Sequence, residues 1–184
     1  AMAMVTLPYA REDKMAEDLK LVLAGARQSL IEAGVRLVGG HTGEGEELAF
    51  GLSVTGYADP NGLLRKTGLR VGDVLILTKP LGTGVVLAGW MQGKVRYNWL
   101  RSALASMLQS NRHAAEVFAA HGASACTDVT GFGLIGHLGE MIRASDVHVT
   151  LQLSQIPALP GAAELLKAGV ESTLFPGNRI AANR

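Results

Sequence analysis

The stretch Thr127-Asp128-Val129-Thr130-Gly131-Phe132-Gly133-Leu134-Ile135-Gly136-His137 sets the reading of the fold. A short apolar run, Ala123 to Thr130, is expected as a strand that passes through a glycine-rich turn into a helix over 134–144. Working outward, Val147, Val149, Leu151 and Leu153 alternate with His148, Thr150 and Gln152, the two-residue period of a strand. Toward the N-terminus, a helix is expected over roughly 99–120, ended by Gly122. Another is expected over 83–92, preceded by a strand over 73–77. A short helix over 162–168 follows the alternating run, and the tail from Thr173, with Pro176-Gly177-Asn178 and no apolar period, reads as a loop.

Residues 11–33 carry Met15, Leu19, Val22, Ala26 and Leu30 at spacings of three and four, which makes an amphipathic helix that Gly34 can stop. Val35 to Val38 then reads as a short strand, Gly39 to Glu47 as a polar loop, and Leu48 to Tyr57 as a strand with two different faces. Helices interleaved with alternating strands give an α+β fold with helices on one sheet face. The boundary between two modules is expected near Gly68 to Gly72, giving residues 1–68 and 69–184.

Composition narrows the function classes. With 48% hydrophobic residues and 18% charged, the chain has the balance of a globular protein that buries a core. Its 17 basic and 16 acidic residues show no basic run that would serve as a nucleic-acid footprint. No apolar stretch approaches the length of a membrane span. The start, Ala-Met-Ala-Met-Val, lacks the basic residues and cleavage site of a secretory signal, and the single cysteine, Cys126, cannot form an internal disulfide. A cytoplasmic protein is expected.

Three motifs could carry chemistry. Gly39-Gly40-His41-Thr42 offers glycine backbone that a phosphate can approach, with a hydroxyl and an imidazole beside it; a plain glycine turn is the other reading. Asp128, on the turn after a strand, is placed either to ligate a hard cation such as magnesium or to cap the turn through backbone N–H groups. Thr78-Lys79-Pro80-Leu81-Gly82-Thr83-Gly84 has neither P-loop nor dinucleotide spacing. Lys79 could meet a phosphate, while the glycines could simply allow close packing. His113, His121 and His137 are assigned to packing or surface, Cys126 to a small buried hydrophobe, and Glu44, Glu46 and Glu47 to a solvated loop. Tyr97, Trp90 and Trp99 are expected to cover a core or an interface.

Taken together, residues 39–42, 78–84 and 127–137 resemble the selenophosphate synthetases (selenide, water dikinases), within the aminoimidazole ribonucleotide synthetase-like superfamily. The resemblance runs from the first helix to about Asn178. It implies the back half of an N-terminal, dimerising, ATP-binding domain joined to an α/β C-terminal domain truncated at its end. It also implies a homodimer that phosphorylates selenide from ATP with magnesium, releasing selenophosphate, AMP and orthophosphate. By motif, Asp128 would bind magnesium and Gly39, Gly40, His41 and Thr42 would contact the nucleotide. The family's glycine-rich nucleophile segment, with its cysteine or selenocysteine and lysine, does not precede Ala1, nor does its Asp-Pro-Gln-Thr-Ser-Gly-Gly type loop follow Arg184. No catalytic residue is therefore assigned within the chain, and it is expected to be inactive alone. Other readings are an ATP-using relative of the aminoimidazole ribonucleotide synthetase or thiamine monophosphate kinase type, or a non-catalytic dimerisation and nucleotide-binding module.

Overall fold

The computed structural model describes residues 1–181 and divides into two compact units, Ala1–Asp59 and Pro60–Arg184. The last three residues of the tail, 182–184, lie outside the described residues. Residues 60–68 belong with the second unit because they are tied to its later helices. The Thr67 hydroxyl donates to the Ala144 carbonyl at 2.8 Å, and the Gly68 N–H donates to Ser145 Oγ at 3.0 Å.

The first unit is a three-stranded sheet backed by one helix. Strand β1 (Met2–Pro8) lies in the centre, parallel to β2 (Gly39–Gly45) and antiparallel to β3 (Ala49–Ser53). Ala3, Val5 and Leu7 of β1 are buried while Met2 and Met4 are exposed, the alternation of a sheet covered on one side. Helix α1 (Glu12–Glu32) supplies the cover through Ala26 and Leu30; Glu12 and Asp13 occupy its positive end, and Gly34 leaves it at φ +71°.

Three expectations for this unit are corrected. The strand expected over 35–38 starts only at Gly39, and the expected polar loop over 39–47 is mostly strand β2. Glycine-rich sequence is poor strand material by propensity, and β2 exists because β1 offers a full ladder, so pairing overrides propensity. Gly40 shows the price: a Cβ there would sit 2.0 Å from the Ala3 carbonyl oxygen. The strand expected over 48–57 shortens to β3, and β1 carries too short an alternating run to be distinguished in sequence from an irregular terminus.

The second unit is helical: α2 (Thr83–Met91), α3 (Tyr97–Leu108), α4 (Arg112–Ala120), α5 (Gly133–Ser145), α6 (Ala162–Lys167) and α7 (Phe175–Ala181). Its main core is Val86, Ala88, Ala103, Leu159, Ala162, Leu165 and Val170, with Trp99 against it. The long helix expected over 99–120 is broken at Gln109-Ser110-Asn111, where Gln109 is extended and the Ser110 hydroxyl accepts the Arg112 N–H at 3.1 Å. The tail expected as a loop contains α7; Pro176 falls in its first turn, where a missing N–H costs nothing.

The strands expected over 73–77, 123–130 and 147–153 are not formed. Among the described residues this unit has only an isolated bridge, Leu81 with Ala158. Val147, Val149 and Leu151 do face inward while their neighbours face out, so the alternation is real; it reports facing, whereas a strand also needs a neighbour's N–H and C=O groups. Val74 and Ile76 are both largely exposed. The mixed α+β class stands. No helix among the described residues is long and apolar enough to cross a membrane.

Candidate functional site

The Asp128 segment is built on a tight turn. The Gly133 N–H donates to the Thr130 carbonyl at 3.0 Å, closing Thr130-Gly131-Phe132-Gly133, and Gly133 takes φ +69°, which a side chain would resist. The turn is held from two sides. Asn178 Nδ2 donates to the Gly131 carbonyl at 2.9 Å, and a Cβ on Gly131 would meet Leu174 at 2.5 Å, so the segment leading into α7 closes against it. On the other side, the Thr130 hydroxyl lies 3.0 Å from Nε2 of His137 in α5.

Asp128 itself is exposed, and among the described residues its carboxylate takes no hydrogen bond or ion pair. Of the two roles open to it in sequence, capping the turn is not the one it plays: α5 starts without a side-chain cap. A carboxylate left open on a pinned turn is suited to one site of a hard cation's oxygen shell. No cluster of three or more His, Cys, Asp or Glu side chains able to hold a metal occurs among the described residues, so Asp128 stands as a single ligand candidate.

Other polar groups of this unit have other duties. Cys126 is half-buried, its N–H donates to the Arg65 carbonyl at 2.8 Å, and burial followed by the Asp128 charge pushes its thiol pKa up. A thiol held protonated is a poor nucleophile. Asp73 lies below the usual carboxylate range because the Ser124 hydroxyl and then the Arg70 N–H donate to it; the link fixes the 70–73 turn to residue 124. Lys79 donates its ammonium to the Gln109 carbonyl at the end of α3, a helix-terminus contact rather than a free phosphate hook. The glycines beside it serve packing: a Cβ on Gly82 would lie 2.5 Å from Ala162 Cβ, and Gly82 has φ +120°.

Gly39, Gly40, His41 and Thr42 lie in the first unit on β2, and strand geometry splits them. Gly39 and His41 register with Met2 and Met4 on the bare sheet face; Gly40 and Thr42 register with Ala3 and Val5 on the face toward α1. On the bare face, Met4, His41, Gly43 and Gly51 line a shallow cavity of about 330 Å³. Open space lies over Gly39, Gly43 and Gly51, so this face would admit a flat ligand close to the backbone.

Sequence reading missed four members of the Asp128 site. His137 passes for a core histidine, and it is buried, but its ring also holds Thr130. Glu140, one turn along α5, pairs with Lys66, and the bond drops its pKa. Asn178 sits in the tail. The spacing His137 to Glu140 places both on one helix face, the one signal available beforehand.

The sequence profile described as AIR synthase related protein, C-terminal domain, matches residues 70–173. A selenide, water dikinase of Pelobacter propionicus is 42% identical over 96% of this chain and 49% of its own length. The selenide, water dikinase of Trichlorobacter lovleyi is 45% identical over 84% of the chain and 44% of its own length. That of Caldanaerobacter subterraneus is 41% identical over 96% and 49%. The chain spans about half the length of the curated relatives it matches. Identity of this order along nearly the whole chain places it: the chain belongs to the selenide, water dikinase family, within the AIR synthase related proteins.

Proposed function

We propose that this chain is part of an enzyme that phosphorylates selenide with ATP and water, yielding selenophosphate, AMP and orthophosphate. The observation that carries the reading is the unpartnered Asp128 carboxylate, exposed on a turn fixed by Asn178 and His137, in a chain 42% identical to a selenide, water dikinase. Phosphoryl transfer asks a protein mainly to position phosphates and neutralise their charge. Asp128 would hold magnesium, whose preference for one or two carboxylates plus phosphate and water oxygens fits a single open ligand. The ion supplies charge neutralisation on the phosphate oxygens.

Gly39, Gly40, His41 and Thr42 would contact the nucleotide. The two-faced placement supports a division of labour: His41 and the open glycines meet the ligand from the bare face, while Gly40 and Thr42 contribute backbone from β2, an edge strand with one side free of the ladder. The working form is a cytoplasmic homodimer, and the two units, Ala1–Asp59 and Pro60–Arg184, are parts of its N-terminal and C-terminal domains. The chain alone is inactive and retains only nucleotide affinity.

Calorimetric titration of magnesium-ATP into the chain tests this. Saturable binding that Asp128→Asn weakens is expected, with no selenide-dependent AMP release. Equal binding by both forms would remove Asp128 from the site, and AMP release by the chain would overturn its inactivity. In the whole protein, losing a metal contact worth several kcal/mol slows turnover by roughly 100-fold or more.

A further inference from the structure

Glu140, His137 and Thr130 stand in line, carboxylate to imidazole to hydroxyl. His137 is 5% exposed. Its Nε2 is 3.0 Å from Thr130 Oγ1, and its Nδ1 is buried with no hydrogen-bond partner among the described residues. Glu140 Oε2 lies 3.8 Å from Nδ1 and is bonded to the Lys66 ammonium. The Phe132 ring, 5.8 Å from the imidazole between centroids, screens the ring from the turn side.

A neutral imidazole has one N–H and one lone pair, so this line has only two arrangements. With the proton on Nε2, that N–H would donate to Thr130, and the Nδ1 lone pair would point at a carboxylate with nothing between them. With the proton on Nδ1, the N–H faces the carboxylate, and Nε2 accepts the Thr130 O–H. A buried nitrogen without a partner is costly, and only the second arrangement lets a short swing of the half-exposed Glu140 side chain close the 3.8 Å gap to hydrogen-bond length.

We infer that Glu140 and His137 are positioning residues that fix the Thr130 hydroxyl as a hydrogen-bond acceptor toward the ligand at Asp128. The Thr130 proton is committed inward, so the oxygen offers only lone pairs outward. Such an oxygen, two residues from an open carboxylate, takes a cation or the proton of a cation-bound water, and it repels a bare phosphate oxygen. The ligand-side part rests on the proposed magnesium role of Asp128; the imidazole tautomer does not.

The test is long-range proton–nitrogen correlation of the histidine rings in the 15N-labelled whole protein, above the pH at which imidazole is charged. His137→Gln assigns the signal. Protonation of His137 at Nδ1 is expected, against the Nε2 form that free histidine prefers in water. Glu140→Leu, at a half-exposed site, should return His137 to the Nε2 form, and Thr130→Ser should leave it at Nδ1. An Nε2 proton in the unaltered protein, or no change in Glu140→Leu, overturns the relay. The second reading is the magnesium concentration at half-maximal ATP binding. Losing a supporting partner should raise it about 10-fold in Thr130→Val and in Glu140→Leu, with Thr130→Ser close to unaltered. Unchanged magnesium dependence in both variants overturns the acceptor role. If Asp128→Asn also leaves it unchanged while the tautomer is Nδ1, the fault lies in the magnesium assignment, and the acceptor proposal falls with it.

Discussion

Gly161 is a position where both backbone angle and packing oppose a side chain, and replacing it with alanine gives a quantitative test of the packing described above. Gly161 precedes α6 at φ +81°, and a Cβ there would lie 2.1 Å from Cδ2 and 2.3 Å from Cε3 of Trp99. Two costs arise. Holding alanine in the left-handed region costs about 1–2 kcal/mol. The Trp99 ring must also retreat until the contact exceeds the 3.4 Å at which ordinary packing begins, and Arg96, 5.0 Å above the same ring, moves with it; such overpacking costs about 1–3 kcal/mol. The sum, roughly 2–5 kcal/mol, corresponds to a fall in melting temperature of roughly 4–20 °C for a chain of this size. Gly169 provides the control: it has φ +77° but nothing within 4 Å of its would-be Cβ, so Gly169→Ala should cost only the backbone share, about 1–2 kcal/mol. Urea unfolding followed by circular dichroism and tryptophan fluorescence measures both. Equal destabilisation by the two substitutions would refute the claim that Trp99 packs on Gly161.

Further outcomes follow from single features. Asp128→Asn should unfold within about 0.5 kcal/mol of the unaltered chain in the same assay, because the carboxylate makes no bond that holds the turn. Gly40→Ala should destabilise the first unit, since a Cβ would strike the Ala3 backbone at 2.0 Å, whereas Gly43→Ala, in open space on the same strand, should be nearly neutral by thermal unfolding. The Lys66 bond depresses the Glu140 pKa from 4.5, so its stabilisation is complete above that pH and fades as pH falls through the lower folded value. The melting-temperature gap between the unaltered chain and Lys66→Met should accordingly be small but constant near neutrality and close in acid; a gap that widens in acid would contradict the pairing. Asn178→Ala should cost about 1 kcal/mol in urea unfolding through loss of its bond to the Gly131 carbonyl.

Much of the helical framework was legible because its signals are local. The three-and-four spacing from Met15 to Leu30 lies within α1, and Gly34 and Gly122 do take positive φ where the helices were expected to end. The strands were less legible because pairing is not local. Gly39–Gly45 becomes a strand through β1, thirty-odd residues earlier, and no property of those glycines announces it. The run at 147–153 has the alternation without a partner. At the candidate site, Asp128 could be singled out from its place after an apolar run and before glycines. His137 could not be separated from an ordinary core histidine, nor Asn178 from a tail residue, because their roles arise from side chains meeting across the unit.

The order β2-β1-β3 makes the earliest of these three strands the one that both others require. As the chain emerges, the parallel ladder of β1 waits for Gly39–Gly45, and its antiparallel ladder waits for Ala49–Ser53. In that interval α1 can form alone, since its bonds are local, while Met2 to Pro8 still lacks both of these ladders. Assembly of this unit is therefore limited by closing a loop over the whole of α1, a cost that grows only slowly with loop length. A helix that forms early shortens the distance to be searched. Substitutions that favour α1, such as Gly25→Ala in open space at its middle, should quicken the sheet's formation without touching a strand.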